Sequence, residues 1–201
     1  MEKLEELIER IKKLEKELAA EIQKKEEEFF YTIRGKKVCF EKEIKRRHGQ
    51  YATRLSTYLA TATLFNLLTA PIIWACLLPA LLLDFVVTVY HGLCFPVYGI
   101  PKVRRCDYIM MDRHALRYLN LIEKINCAYC GYFNGLIAYI YEIAARTEQY
   151  WCPIKHARKV ASIHSRYAKF LEYGDAAGYR KRLEQLRKDF ADLSNDSPPS
   201  C

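Results

Sequence analysis

Three cysteines and one histidine have a spacing that could bind a metal ion. Two residues separate Cys127 from Cys130, three separate Cys152 from His156, and 21 residues lie between the two pairs. Thiolates and a neutral imidazole are ligands that tetrahedral zinc prefers, and iron in a sulfur-rich site is the alternative. The spacing therefore predicts one metal ion, zinc or alternatively iron, bound by Cys127, Cys130, Cys152 and His156.

Two other interpretations of these residues stay open. The thiols are buried and free in the first, with His156 on the surface; in the second, Cys127 and Cys130 are a redox pair. A redox pair would follow a strand and a turn, which the preceding residues do not indicate. If a metal is bound, polar residues nearby are predicted to orient its ligands: Glu123, Asn134, Glu142 and Glu148.

A catalytic reaction is not indicated by any complete motif. Glu142 and Glu148 are candidates for a general acid and base, but residues six apart share a helical face poorly. The sequence has no Gly-rich phosphate loop, no Ser/His/Asp arrangement and no paired-His iron motif. Whether the protein is an enzyme therefore stays open.

The chain is organised around a long apolar run at residues 55–100. From Tyr58 to Pro101 it has one Asp, one His and no Lys, Arg or Glu. A helix crosses the hydrocarbon core with about 20 apolar residues, so the run is long enough for two crossings. Burial in a soluble core is the alternative, but little other apolar sequence exists to cover it. We predict a membrane helical hairpin that turns between Pro71 and Asp84, or a re-entrant hairpin with the same charge pattern.

One aspartate and one histidine interrupt this run, at Asp84 and His91. They are seven apart and therefore lie on one helical face. An ionisable group at membrane depth is costly and usually functional, so one interpretation is a channel or transporter that uses both. The other is that Asp84 lies near the far headgroups.

The charge distribution predicts a topology. Residues 29–56 carry a net charge of +6 and residues 102–124 of +3, whereas residues 1–28 carry −3. Positive flanks stay cytoplasmic, so both termini are expected in the cytoplasm of a bacterial inner-membrane protein, with free thiols there. The start of the chain has no apolar signal region. The basic residues are expected to contact anionic lipid headgroups rather than nucleic acid, for which no motif is present.

Five segments follow from the pattern. Residues 1–28 form a coiled-coil-like helix with a seam at Leu4, Leu7, Ile11, Leu14 and Leu18, either a homo-oligomeric stalk or a solvated amphipathic helix. Residues 29–54 form a small β-hairpin around Gly35 and a basic juxtamembrane helix. Residues 55–100 are the membrane hairpin, residues 101–193 a cytoplasmic helical domain with the metal site, and residues 194–201 a disordered tail. The fold class is mostly α.

Helix boundaries in residues 101–193 are predicted from capping residues. Asp112 is expected to cap a long helix that begins near Arg113, and Pro153 to end that helix or open the next. A further helix is expected from Ile154 to about Phe170. Gly174 and Asp175 are predicted to end one helix and to cap the last.

Several motifs resemble an uncharacterised family of small bacterial inner-membrane proteins. They are FPVYGIPKVRR at residues 95–105, NCxYC at residues 126–130 and EIAARTEQYWCPIKHA at residues 142–157. The similarity extends from about Phe29 to about Leu186, and it implies a membrane location without implying a reaction. We therefore expect a membrane-anchored scaffold or interaction protein with a Cys3His metal site. A metal-dependent membrane enzyme or redox protein acting on a lipid-soluble substrate is the alternative, as is an oligomeric channel or transporter.

Overall fold

The computed structural model of the chain describes residues 2–34 and 37–193. These residues are mostly helical and include one two-stranded antiparallel sheet. They belong to two compact units. The N-terminal unit comprises Met1–Tyr58 and Asp112–Lys124, and the C-terminal unit comprises Leu59–Met111 and Ile125–Cys201.

The N-terminal unit contains α1 (Glu2–Glu28), β1 (Tyr31–Arg34), β2 (Lys37–Phe40) and α2 (Lys42–Gln50). The strands pair with Tyr31 opposite Phe40 and Arg34 opposite Lys37, as expected for a hairpin. A two-stranded hairpin alone is marginally stable. Edge-to-face ring contacts support this hairpin. The ring centroids of Phe40 and His48 of α2 are 5.2 Å apart, and those of His48 and Tyr118 are 5.5 Å apart. The predicted β-hairpin and basic helix are both present.

The predicted seam of α1 is only partly described. The side chains of Leu4, Leu7 and Ile11 lie outside the described part of the chain. Leu14 and Leu18 are exposed, so no described part of this chain covers them. The helix is confirmed, whereas the coiled coil stays a prediction.

The apolar run forms α3 (Leu55–Thr61), α4 (Leu64–Ala75) and α5 (Leu77–Tyr98). Only Cys76 separates α4 from α5, and its backbone is itself helical, with φ −62° and ψ −16°. Pro79 lies in the first turn of α5, where its missing N–H costs little. No residue between Pro71 and Asp84 reverses the chain direction in the manner predicted for a membrane hairpin, so that hairpin is not confirmed.

Gly99 ends α5 and turns the chain back along it. Its φ of +66° is left-handed, a conformation that glycine adopts without steric cost. The amide of Ile100 then donates to the carbonyl of Phe95 at 2.9 Å, a standard glycine helix end. Residues 99–111, which we call the return segment, run back beside α5.

The long helix α6 (Leu121–Trp151) lies parallel to α5. Tyr132, Tyr139 and Tyr150 of α6 contact successively later residues of α5, and the return segment packs against both helices. The main hydrophobic core joins these elements and the end of the chain: Phe95, Ile100, Val103, Leu136, Tyr139, Ile143 and Phe190. Asn120 and not Asp112 caps α6, so the predicted helix start near Arg113 is wrong; Arg113–Ala115 is a single 3-10 turn.

The region after Pro153 is less helical than predicted. The helix expected from Ile154 to Phe170 is wrong: apart from the 3-10 turn Tyr167–Lys169, the described residues there are irregular, and Ile154 pairs with Leu171 in an isolated parallel bridge. The final helix α7 (Ala176–Lys188) is capped by Asp175 as predicted, since its carboxylate accepts the amide of Gly178 at 2.8 Å. The predicted disordered tail at residues 194–201 lies outside the described residues.

Candidate functional site

The four predicted metal ligands do not converge. Cys127 and Cys130 lie in α6, and Cys152 follows the end of that same helix. Cys130 and Cys152 are 22 positions apart, so a continuous helical rise separates them by roughly 33 Å. Among the described residues, no group of three or more potential ligands is placed to hold a metal ion. The sequence prediction required a turn between Cys130 and Cys152, and the chain has an uninterrupted helix there.

His156 and the cysteines have separate surroundings. Cys127 is half-buried, Cys130 and Cys152 are exposed, and all three are free thiols. The His156 ring stacks on Tyr167 at 6.4 Å, and its backbone amide donates to the Tyr167 hydroxyl. A single ion bound by all four residues, whether zinc or iron, is therefore incompatible with this arrangement of the chain.

Two of the residues expected to orient metal ligands, Glu123 and Asn134, form hydrogen bonds with the backbone at or near α6 instead. Glu123 accepts the amide of Asn120 at 2.8 Å, and Asn120 accepts the amide of Glu123 at 3.0 Å. This reciprocal pair is a capping box that satisfies two free amides at the start of α6. The side chain of Asn134 donates to the carbonyl of Cys130 and is exposed.

The buried face of α6 carries a line of polar side chains, which we call the polar seam: Tyr132, Tyr139, Glu142, Arg146 and Gln149. They are spaced seven, three, four and three residues apart, which places them on one face of the helix. Arg146 and Glu142 are each 8% exposed and Gln149 is fully buried. Buried polar groups of this kind are retained only when they are hydrogen-bonded, and each member of the seam has a partner in the protein.

The first contact of the seam neutralises Asp84. Both carboxylate oxygens of Asp84 accept from Arg105 of the return segment, and the Tyr132 hydroxyl donates to the same group at 2.6 Å. Thr88 donates to it from the next turn of α5 at 3.3 Å. A bidentate arginine pair is the strongest ordinary partner of a carboxylate. Asp84 therefore binds the return segment to α5.

His91 lies on the same face of α5, as its spacing from Asp84 predicts. Its Nε2 atom accepts the amide of Val103 at 2.9 Å, and its Nδ1 atom lies 3.2 Å from the Tyr139 hydroxyl. Because Nε2 accepts a hydrogen bond, the neutral ring has its proton on Nδ1 and donates to Tyr139. His91 thus joins α5, the return segment and α6.

Glu142 and Arg146 form a buried ion pair one turn apart on α6. Arg146 donates to Glu142 at 2.8 Å and also to the carbonyl oxygens of Pro101 and Lys102. Ser165 donates to the second oxygen of Glu142 at 2.7 Å. The pair therefore joins α6 to the return segment on one side and to residues beyond Pro153 on the other.

Gln149 and Arg166 bind residues 186–192 to α6. Gln149 donates to the carbonyl oxygens of Leu186 and Asp189, and accepts from Arg166 at 2.6 Å. Arg166 is 2% exposed and forms two hydrogen bonds with the carboxylate of Asp192. These hydrogen bonds hold the pKa of Asp192 well below its usual range.

Glu148 differs from Glu142 because it lies at the edge of an open apolar groove. The groove has a volume of about 440 Å³ and is lined mainly by Val87, Tyr90, Ile140, Ile143, Ala144 and Trp151. A carboxylate oxygen of Glu148 lies 3.0 Å from Nε2 of His164, although the two atoms are not aligned for a hydrogen bond. A carboxylate beside an imidazole is an arrangement that can act as an acid and a base.

The polar seam as a whole was not predicted from the sequence. The signal that could have indicated it is the spacing of Glu142, Arg146 and Gln149, three or four residues apart in a largely apolar helix. Ser165, Arg166 and Asp192 were not predictable as their partners, because they are distant in sequence and lie in irregular chain or in a 3-10 turn.

Comparison with known proteins finds no relative of this chain. No protein-family model, no curated protein and no solved structure matches the chain. The resemblance to small bacterial inner-membrane proteins therefore stays a prediction, and the function has to be inferred from the geometry of the helices and the polar seam.

Proposed function

We propose that the protein is a membrane-embedded scaffold in which α4 and α5 lie in lipid. The observation that carries this proposal is the exposure of Leu64–Tyr98. Its most apolar window of 18 residues has a mean hydropathy of 2.4, yet only 6% of that window is buried. The core helix of a soluble protein would be covered by its own chain, and a signal sequence would lie nearer the N-terminus. Soluble proteins rarely leave a continuous apolar surface of this length uncovered.

The outer face of α6 supports the same placement. The 17 residues from Ile125 to Tyr141 include no charged side chain, a length of about 25 Å in a helix. Ile125, Ile137 and Tyr141 are exposed on this stretch. A helix with apolar residues outside and a hydrogen-bonded polar seam inside suits a lipid environment, in which internal polar groups must satisfy one another.

The charge pattern and the fold together favour insertion from one side of the membrane. Positive flanks on both sides of the apolar run predict that both flanks remain cytoplasmic. The continuous helix from α4 to α5 lacks the reversal needed for two crossings. One crossing would carry the return segment, with Arg104 and Arg105, to the far side. A segment that lies in the cytoplasmic half of the bilayer without crossing it satisfies both observations.

The proposed role of the polar seam is to hold a rigid platform on this membrane segment. Its hydrogen bonds fix the return segment and the chain after Pro153 to α6. Each described member of the seam is bonded within the protein, which favours a structural role over a transport path. Localisation in a bacterial inner membrane agrees with the family resemblance. Assembly of several copies through Leu7, Ile11 and Leu14 stays a prediction.

A matched pair of leucine substitutions tests the membrane placement. Leu82 in α5 is 64% exposed and Leu18 in α1 is 62% exposed, so both changes to lysine would be tolerated equally in water. Lysine in the middle of a membrane helix costs about 2.5–3.5 kcal/mol. Leu82→Lys should therefore shift protein from the carbonate-resistant membrane fraction to aggregates, whereas Leu18→Lys should not. Equal behaviour of the two variants would contradict the proposal.

The proposed topology is tested by single introduced cysteines in a variant that lacks its native cysteines. Cysteines at Ser56 and Lys102, both exposed, should react with an impermeant maleimide in inverted vesicles and not in spheroplasts. Reaction of the Lys102 position in spheroplasts would indicate a full crossing and overturn insertion from one side, while the membrane placement itself would stand.

The apolar groove favours a second candidate, an enzyme acting on a lipid-soluble substrate. The groove opens beside the exposed face of α5, and Glu148 brings a carboxylate and His164 to its edge. Ala144→Trp should fill the groove without removing either polar residue. If native mass spectrometry finds a co-purified lipid in the wild type that this variant lacks, the enzyme candidate gains support. Unchanged lipid content would count against it.

A further inference from the structure

A concave basic surface lies in the N-terminal unit. It has a volume of about 450 Å³ and is lined by Val38, Lys45, His114, Ala115, Arg117 and Lys124. We call this surface the basic pocket. Three of its six lining residues are lysine or arginine, one is a histidine, and none is acidic. A site of this composition would bind an anion.

The basic pocket is built from elements that are far apart in sequence. Val38 belongs to β2, Lys45 to α2, and Lys124 to the first turn of α6. The ring contacts from Phe40 through His48 to Tyr118 hold the strand, α2 and the segment before α6 together. The two positive stretches that flank the apolar run in sequence thus each contribute cations to one surface.

Among the described residues, no carboxylate forms an ion pair with Lys45, Arg117 or Lys124. The nearest acidic neighbour in sequence, Glu123, is bonded to the backbone of Asn120 in the capping box. Like charges gathered in a concavity repel one another, and the field there is focused toward an incoming anion. The arrangement is therefore favourable only if water or a bound anion compensates it.

We propose that the basic pocket binds a phosphate group. Phosphate offers several acceptor oxygens that lysine and arginine can contact at once, with charge-assisted hydrogen bonds. A pocket of this size admits the phosphate and a small substituent such as glycerol. Two sources carry this chemistry, an anionic phospholipid headgroup and a free phosphate. The headgroup source rests on the membrane function proposed above, whereas the free phosphate source does not.

The test compares two double variants with the same change in net charge. Lys45→Gln/Arg117→Gln removes two cations of the pocket. Arg46→Gln/Arg47→Gln removes two exposed cations of α2 that do not line it. The full-length protein is purified in neutral detergent, and binding of inorganic phosphate, dihexanoyl phosphatidylglycerol and dihexanoyl phosphatidylcholine is measured by calorimetry. Circular dichroism establishes that each variant is folded.

The pocket variant should lose about tenfold or more in affinity for each cation removed, while the control should stay within about twofold. Binding of inorganic phosphate alone assigns a free-phosphate site. Binding of phosphatidylglycerol, but not phosphatidylcholine, assigns an anionic headgroup site. Equal loss in the two variants, or no binding of any probe by the wild type, would overturn the proposal. If Lys45→Gln/Arg117→Gln is unfolded, Lys45→Arg/Arg117→Lys keeps the charge and should retain binding, and failure to bind would count against the site.

This outcome is separable from that of the membrane proposal. Phosphate binding by a protein whose Leu82→Lys variant behaves like Leu18→Lys would leave the basic pocket in place and remove the membrane function. Failure of phosphate binding in a protein that inserts normally would leave the membrane function in place and remove the phosphate site.

Discussion

Because the return segment packs closely on α6, we expect alanine substitutions at two glycines to change the stability of the protein in opposite directions. A Cβ atom at Gly135 would lie 2.6 Å from the carbonyl oxygen of Tyr108 and 2.8 Å from the Cα atom of Ile109. Both are backbone atoms, so the return segment or α6 would have to move. At Gly92 in α5, an added Cβ meets no atom within 4 Å. Gly135→Ala should therefore destabilise the protein, and Gly92→Ala should stabilise it.

The two changes share the same gain in helix propensity, up to about 1 kcal/mol for alanine over glycine. Overpacking adds a cost of about 1–3 kcal/mol at Gly135 only. The free energies of unfolding of the two variants should therefore differ by about 1–3 kcal/mol. Unfolding in mixed micelles, followed by circular dichroism, measures this difference. Amide exchange of residues 105–110 should rise in Gly135→Ala, and if stability and exchange match those of Gly92→Ala, the return segment does not pack on α6.

Two further predictions concern carboxylates of the C-terminal unit. Glu142→Gln leaves the buried Arg146 without its countercharge and should lower the free energy of unfolding by about 3 kcal/mol. The control Glu148→Gln should change the free energy of unfolding by less than about 1 kcal/mol. Similar losses in the two variants would show that the ion pair of Glu142 and Arg146 does not stabilise the fold. Because Arg166 lowers the pKa of Asp192, their pair contributes stability above the ordinary Asp pKa of about 4 and loses it as the pH falls through the lower folded value. Asp192→Asn should reduce the acid-induced loss of stability between about pH 5 and the onset of unfolding, and an unchanged profile would contradict this assignment.

The sequence predicted the features that depend on local composition. The apolar run and the flanking charge are visible without any contact information, and the hairpin of β1 and β2 follows from alternation around Gly35. Asp175 was predicted as an N-cap because Asp is a good acceptor for the free amides of a first turn. Pro153 was correctly placed beyond the end of α6.

The features that depend on distant contacts were not predictable in this way. The start of α6 was set by the pair Asn120 and Glu123, which competes successfully with Asp112 because two reciprocal bonds satisfy two amides. The residues after Pro153 were read as a helix from their apolar spacing. They instead adopt irregular structure, since their polar groups, such as Ser165 and Arg166, find partners on α6.

The predicted metal ligands do not come together because a long uninterrupted helix separates Cys130 from Cys152. Cys-x2-Cys and Cys-x3-His are compatible with a zinc ligand set only when the intervening chain folds back on itself. The 21 residues between Cys130 and Cys152 contain no proline, and Leu136, Tyr139 and Ile143 pack in the core from one helical face, so these residues extend the helix instead. Elemental analysis of Cys152→Ser should therefore match that of the wild type.

Fluorescence of Trp74 in brominated lipid reports whether α4 lies in the membrane, because the protein has only two tryptophans. Trp151→Phe leaves Trp74 of α4 as the sole reporter in vesicles of phosphatidylcholine with bromine on the acyl chains. If α4 lies in the hydrocarbon, its emission should be strongly quenched by the brominated chains and little affected by aqueous iodide. Quenching by iodide without quenching by the brominated chains, in a protein that remains folded, would show that α4 lies outside the membrane.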